Sequence, residues 1–368
     1  MAEYYSNSIS RKRKRKNRVY GGKEFALFLL DIAISIAMVL LVFCTITTII
    51  CQYISPERSG VLSILSLGAP IVYLLDIVVM LYWIIRWKWY RATVMIATVL
   101  LGLFYLSRYY KLDIDRHYDS SYIERRFTKV MTYNVHAGLE EGLSQYIGLH
   151  NPDILCLQEI STGNDNWNEL SEKYKTTFKE SENSGNQILT KYRILRSGGI
   201  DTLSRKTGVW ADLRIKDDTV RVVSLHLQST SIRAEDTSFL EKHEYILDDE
   251  REDKLRSIVS RLVENNRKRA VQAECIVEFL KNSPYKTIVC GDFNDVPMSY
   301  TYNTITKNMD DAFSEKAIGF AYTYDTRYRL LRIDNILVSP SIEVVSYEVD
   351  NEIGLSDHYP VIARIKLH

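Results

Sequence analysis

The sequence predicts a layered α/β domain set behind a helical transmembrane region. Two observations carry this. Long apolar runs with almost no charge fill the first hundred residues, and short β-branched segments alternating with helical spacing fill the rest. A third is the charge split. The 368-residue chain has 47 Lys+Arg and 46 Asp+Glu, with 46% hydrophobic and 25% charged residues, which excludes a disordered tail or an extreme polybasic binder. Residues 1–111 hold 14 Lys+Arg against 5 Asp+Glu, a formal +9, and the remainder is −8.

The run Phe25 to Ile54 carries one charge, Asp31, over thirty residues, longer than the roughly 20 needed to cross a bilayer core. Val61 to Ile85 carries only Asp76, and Ala92 to Leu106 forms a third, shorter stretch. A cleaved signal peptide would have a short apolar region with no further spans, so about three membrane helices are predicted over 25–107, with buried core helices as the alternative. Arg11-Lys12-Arg13-Lys14-Arg15-Lys16 precedes the first run, and Arg86, Lys88 and Arg91 follow the second. The loop between those runs has Arg58 beside Glu57. By the positive-inside rule this reads inside, outside, inside, making residues 1–24 a basic cytoplasmic N-terminus. Three spans place the following domain outside the cytoplasm as part of an integral membrane protein; two would place it inside. Asp31 and Asp76 fit pairing between spans and receive no role. The five cysteines form no loop-placed, even framework and read as buried free thiols.

After a linker over 108–126, strands are predicted at Thr128–Tyr133, Ile154–Leu157, Gln187–Leu189, Val209–Leu213, Val220–Leu227, Thr287–Cys290, Ile333–Val338, Ile342–Tyr347 and Val361–Ile365. Helical spacing marks Gly142–Leu149, Trp167–Tyr174, Lys254–Leu280 and Tyr300–Lys307. The charged stretch from Ser229 to about Glu252 reads as an insertion or lid, or a surface loop. Arg267-Lys268-Arg269 reads as a solvated helix face.

Polar residues that are costly to bury collect at the ends of these strands, where α/β folds place their sites. They are Asn134 and His136, Gln158 and Glu159, His226, Asp292, Asn294 and Asp295, Asp334, and Asp357-His358. Singly each has an ordinary explanation as a cap, a core histidine or an ion pair. Together they supply amides, carboxylates and imidazoles without zinc-type Cys/His spacing, a donor set suited to a hard cation such as Mg²⁺ on a phosphate substrate.

In order, Thr132–Gly138 (TYNVHAG), Leu157–Glu159 (LQE), Asn186–Tyr192 (NQILTKY), Ser224–Leu227 (SLHL), Gly291–Asp295 (GDFND), Asp311–Phe313 (DAF), Arg332–Leu337 (RIDNIL) and Ser356–Val361 (SDHYPV) resemble the motifs of the endonuclease/exonuclease/phosphatase superfamily, the deoxyribonuclease-I-like fold. The resemblance covers 127–368. It implies a two-sheet α/β sandwich flanked by helices, a phosphoester substrate, and Mg²⁺ with Mn²⁺ as an alternative. It also implies roles: Glu159 as principal metal ligand with Asn134 beside it and Asp357 completing the site; Asp292 and Asn294 positioning water and a phosphate oxygen; His358 at the scissile phosphate, held by Asp334; and His226 as the second imidazole. In-line attack develops negative charge that a divalent ion and imidazoles offset, so these residue types suit the chemistry, and either Asp292 or His358 suits the general base. Thr190, Arg193 and Asn335 depart from residues frequent in relatives, which limits subfamily assignment.

A duplex nuclease draws nonspecific affinity from Lys/Arg, and a domain at −8 on a membrane is poorly matched to that partner. The sequence therefore favours a membrane-anchored phosphodiesterase or phosphatase, on lipid headgroups of the bilayer or small phosphorylated metabolites. A nuclease of the same superfamily and a non-catalytic membrane-tethered binding protein are the alternatives.

Overall fold

The computed structural model describes residues 22–111, 127–176, 185–203, 205–230, 236, 239, 248–326 and 329–367. The basic N-terminus through residue 21, linker residues 112–126 and most of the predicted lid lie outside the described residues.

Helix α1 runs Gly22–Cys51, α2 Gly60–Leu65, α3 Ala69–Ile85 and α4 Trp89–Leu106. The 30-residue α1 and the stretch Gly60–Ile85 are long and apolar enough to cross a membrane. Within the second of these stretches a 3₁₀ turn at Ser66–Gly68, followed by Pro70 in the first turn of α3, separates α2 from α3. The third apolar run is an 18-residue helix. Asp31 accepts from Tyr82 at 2.6 Å and pairs with Arg86 at 3.0 Å, tying α1 to the end of α3. Asp76 accepts from Thr45 at 2.5 Å between the same helices.

The chain then forms β1 (Tyr110–Lys111), β2 (Thr128–Ala137), α5 (Leu143–His150), β3 (Ile154–Ile160), α6 (Asp165–Lys173), β4 (Lys175–Thr176), β5 (Gln187–Thr190), β6 (Arg193–Thr202), β7 (Arg205–Ile215) and β8 (Asp218–His226). There follow α7 (Asp248–Lys281), β9 (Lys286–Asp292), α8 (Tyr300–Thr306), β10 (Asp310–Asp311), α9 (Ala312–Lys316), β11 (Gly319–Phe320), β12 (Asp334–Val338), β13 (Ile342–Val349) and β14 (Val361–Leu367). One sheet has the order β10-β12-β9-β8-β7-β6 and the other β13-β14-β2-β3-β5-β4.

The sheets face each other as a sandwich, and the two-residue period of the strands explains why. Val130, Ile154, Cys156, Val222, Ile288, Cys290 and Ile336 point into the inter-sheet core. Their neighbours Met131, Leu155 and Leu157 point outward beneath α5 and α6, with Leu143, Ile147, Trp167 and Leu170. Val223, Leu225, Val289 and Leu337 likewise meet Ala273, Ile276, Tyr302 and Ile305 of α7 and α8. Strands buried on both faces read as continuous apolar runs, as these do.

Two parallel pairs, β2–β3 and β8–β9, are joined by the crossovers through α5 and α7, and the other pairs are antiparallel. Parallel strands end together, so their C-terminal ends gather at one end of the sandwich. At Gly291 (φ +135) a Cβ would sit 2.0 Å from the Leu225 oxygen, so only glycine lets β9 lie against β8 there.

Two surface readings are corrected. Arg267 is exposed and the Lys268 side chain 44% exposed, but Arg269 is fully buried and pairs with Asp295 at 3.3 Å, so the third residue of this triplet is not part of a solvated face. Cys51, Cys156 and Cys290 are buried, but Cys275 is exposed on α7.

Candidate functional site

The inward-facing rows that build the core turn polar at this end. One layer below the opening, Gln158 donates to Ser224 of the opposite sheet at 3.0 Å and to Thr132 at 3.2 Å. Above it, strand register does the positioning: His226 pairs with Asp292 across β8–β9, and Asp334 with Asp292 across β12–β9. Three chemically active side chains thus stand in adjacent strands at roughly 4.8 Å spacing. Asn134 ends the inward row of β2 on the facing sheet.

Asn134 Nδ2 lies 3.0 Å from Glu159 Oε1 on neighbouring β3 and, across the gap, 3.1 Å from Asp292 Oδ2. Glu159 has φ +57, a left-handed conformation that takes it out of strand alternation; its side chain meets the site. His226 Nε2 is 3.4 Å from Glu159 Oε1 and 3.8 Å from Asp292 Oδ2. Asn294, also left-handed at φ +51, donates to Asp292 from its backbone at 2.7 Å and its amide at 3.0 Å.

His358 arrives just before β14. Its Nδ1 is 2.9 Å from Asp334 Oδ2 and its Nε2 3.7 Å from Asp292 Oδ2. The Asp334 carboxylate accepts from Nδ1–H, which leaves Nε2 facing the site. Burial disfavours the imidazolium, but the Asp334 and Asp292 carboxylates outweigh it and raise His358 to about 10. Burial pushes the Asp334 carboxyl up, and the charge and hydrogen bond of His358 pull against it.

Asp357 is joined to the group through His136, whose Nδ1 lies 3.8 Å from Asp357 Oδ1 and 3.7 Å from Glu159 Oε2. The eight residues given roles by the resemblance therefore lie together at one end of the sandwich. Sequence reasoning gave no role to His136, though it lies in the same motif as Asn134. It missed Thr323, whose hydroxyl accepts from the backbone N–H groups of Ile333 and Asp334 at 3.0 Å, and Tyr324, whose ring lies 4.8 Å from that of His358. Ser356, which donates to the Asn134 carbonyl at 2.8 Å, was legible only as part of SDHYPV.

Residues 131–358 match the profile of the Endonuclease/Exonuclease/phosphatase family, well over half of the chain. The chain belongs to this family. Its fold is that of the family, and as a family member it is a hydrolase of the phosphoesterase class. Residues 31–109 match a second profile, described as a domain of unknown function (DUF8431). No curated protein matches. Among solved structures, an endonuclease/exonuclease/phosphatase from Bacteroides vulgatus is 20% identical with a TM-score of 0.47, covering 66% of this chain and 100% of its own. A 3' phosphatase from Neisseria, NExo, bound to a product DNA hairpin, is 19% identical with a TM-score of 0.47, covering 65% and 99%. Humanized D. rerio TDP2 is 15% identical with a TM-score of 0.48, covering 65% and 99%.

Proposed function

We propose that the chain is a membrane-anchored, divalent-metal-dependent phosphodiesterase or phosphatase. The observation that carries this reading is the convergence of Glu159, Asp292 and the His358–Asp334 pair, with each contact at or below 3.8 Å. Asn134, Glu159 and Asp357 are the proposed metal ligands. Their donor set is all oxygen, and the Glu159 and Asp357 side chains are 36% and 43% exposed, so an ion there keeps waters for exchange with a substrate, as Mg²⁺ prefers and Mn²⁺ tolerates. Asp292, Asp334 and His358 also bring ligand-type atoms within 4.8 Å of one another, but Asp334 is engaged by His358 Nδ1. That buried group is assigned to proton handling. The ion, when bound, offsets charge on phosphate oxygens.

The rest falls to the protein's own groups. Asp292, fixed by two hydrogen bonds from Asn294, orients the attacking water and takes its proton. Asp334 keeps His358 protonated, so its Nε2–H stabilises the phosphate and protonates the leaving oxygen; His226 supplies a second imidazole. The test is a substrate panel on the full chain in detergent: bis-p-nitrophenyl phosphate, p-nitrophenyl phosphate, phospholipid and plasmid, each with Mg²⁺ or chelator. We expect ester turnover that falls at least about a hundredfold without metal. Plasmid cleavage outrunning every ester would favour a nuclease, and no turnover of any substrate would support the non-catalytic alternative.

The proposed organisation is a basic cytoplasmic segment 1–24, a membrane region 25–107 with three spans, a linker 108–126 and a hydrolase domain 127–368 outside the cytoplasm. What supports it is that the ends of α1 and α4 and the start of α3 meet the hydrolase domain, with Ala69, Tyr73, Tyr109 and Met298 in one cluster. Arg86 and Lys88 lie at the opposite end of the bundle with the start of α1. Cys275 offers a native reporter. A membrane-impermeant thiol reagent added to intact, wall-stripped cells should label it; labelling only after lysis would count against three spans.

A further inference from the structure

The ends of the membrane helices do not touch the hydrolase domain at random. Cys51 Sγ contacts the Met298 oxygen at 3.8 Å, and Asn303 donates to the Gln52 carbonyl at 3.2 Å. Arg108, two residues beyond α4, donates to Gln52 Oε1 at 2.9 Å and to the Pro297 oxygen at 3.0 Å. Arg332 donates to the Arg108 carbonyl at 3.3 Å. Pro297, Met298 and Arg332 lie in the segments that directly follow Asn294 or precede Asp334. Pro297 follows Asn294 by three residues and Arg332 precedes Asp334 by two, which bounds their separation from site residues at roughly 11 Å and 7 Å of chain. A bilayer's headgroup layer is itself about 5–8 Å deep on each side. With the ends of α1 and α4 at the bilayer surface, the site stands within about 11 Å of chain from the contacts that hold those ends.

The loops at that same end carry exposed apolar side chains. Leu139 is 68% exposed three residues after His136, Leu203 is 51% exposed in the β6–β7 turn, and Ile318 and Phe320 are 58% and 57% exposed. Scattered exposed leucines are ordinary on any surface. These differ because the last pair is continuous with the membrane region: β11 pairs with β1, immediately after α4, and the Phe320 ring stacks 4.8 Å from Tyr110. Four residues on, Tyr324 packs on His358. One short segment thus runs from the membrane helix to the reacting groups.

We infer that the open end of the site faces the leaflet outside the cytoplasm, that these apolar loops sit in it, and that the substrate is a phosphoester carried by a lipid of that leaflet. This rests on the proposed hydrolase activity. The reaction adds one water across a P–O bond: hydroxyl to phosphorus, and a proton to the leaving oxygen, which departs with the bonding electron pair.

The full chain reconstituted in phosphatidylcholine vesicles separates the two readings with matched probes, hexadecyl p-nitrophenyl phosphate held in the bilayer and ethyl p-nitrophenyl phosphate in the water. We expect kcat/KM for the hexadecyl ester to exceed that for the ethyl ester by about tenfold or more, and its rate to fall when the vesicles are diluted with more phosphatidylcholine. Leu139→Asp with Phe320→Asp should remove about tenfold of the hexadecyl rate and leave the ethyl rate unchanged, which also reports that the variant is folded. Leu139→Gln, a milder change, should fall between. Equal handling of both esters, or a hexadecyl rate indifferent to dilution and to the rim charges, overturns the inference and leaves the hydrolase standing. Turnover of neither ester removes the hydrolase reading and this inference with it.

Discussion

Glu159→Ala is expected to lower kcat by at least about a thousandfold while the protein keeps its thermal midpoint, and His358→Ala to lower kcat as far. The two losses have different physical origins, and stability tells them apart. The Glu159 side chain is 36% exposed, so truncating it removes a proposed metal ligand but opens no cavity and strands no buried charge. His358 is buried against Asp334, whose Oδ1 already lacks a partner. Removing the imidazole leaves a buried carboxylate with nothing to balance it, so His358→Ala should unfold more easily as well. Adding Asp334→Asn should recover part of that stability and none of the rate. Steady-state kinetics at saturating Mg²⁺ beside thermal unfolding reads both quantities. Unchanged rates in two folded variants would remove the site assignment.

Much of the fold was legible because period-2 burial leaves a direct trace. Ile288, Cys290 and Asp292 form one row and Val130, Thr132 and Asn134 another, so an apolar row ending in a polar residue already marked where the sandwich opens. What stayed hidden lacks such a trace. Strand β6, largely exposed over Arg193–Thr202, has no apolar alternation and is held by its pairing with β7. The break after α2 is invisible to hydropathy, because Ser63, Ser66 and Gly68 are tolerated in a membrane helix. The buried Arg269 follows two basic residues, Arg267 and Lys268, on the face of α7 that also buries Ala270 and Ala273, and only the fold brings Asp295 to it. Tyr324 and Thr323 act through a segment with almost no regular structure, so no periodicity could assign them.

Arg332 illustrates the last kind of hidden residue and carries the largest expected loss of stability. Sequence placed it in a motif beside Asp334 without a function of its own. In the structure its side chain is 1% exposed, donates to Asp311 at 3.0 Å, Asn335 at 2.8 Å and Tyr302 at 3.2 Å, and stacks over Phe313 at 4.4 Å. Burial opposes the guanidinium charge, but Asp311 and the surrounding hydrogen bonds more than offset it. Asn335, one of the departures from residues common in relatives, is therefore the acceptor for one arm of this cation. Arg332→Met should cost about 3–5 kcal/mol, because it leaves Asp311 buried without its counter-charge. At the size of this domain that is a fall of roughly 6–20 °C in thermal midpoint. Asp311→Asn in the same chain should return a substantial part of it, since a neutral pair has no stranded charge, and the double-mutant cycle isolates the interaction. Arg332 also holds the Arg108 carbonyl next to the N-terminal apolar helices, so the single variant should loosen the docking of the hydrolase domain, read as faster protease cleavage after residue 108. A loss below about 1 kcal/mol would mean the cation is solvated or replaceable, as a surface pair is, and would remove Arg332 as the link between the N-terminal apolar helices and the strand that bears Asp334.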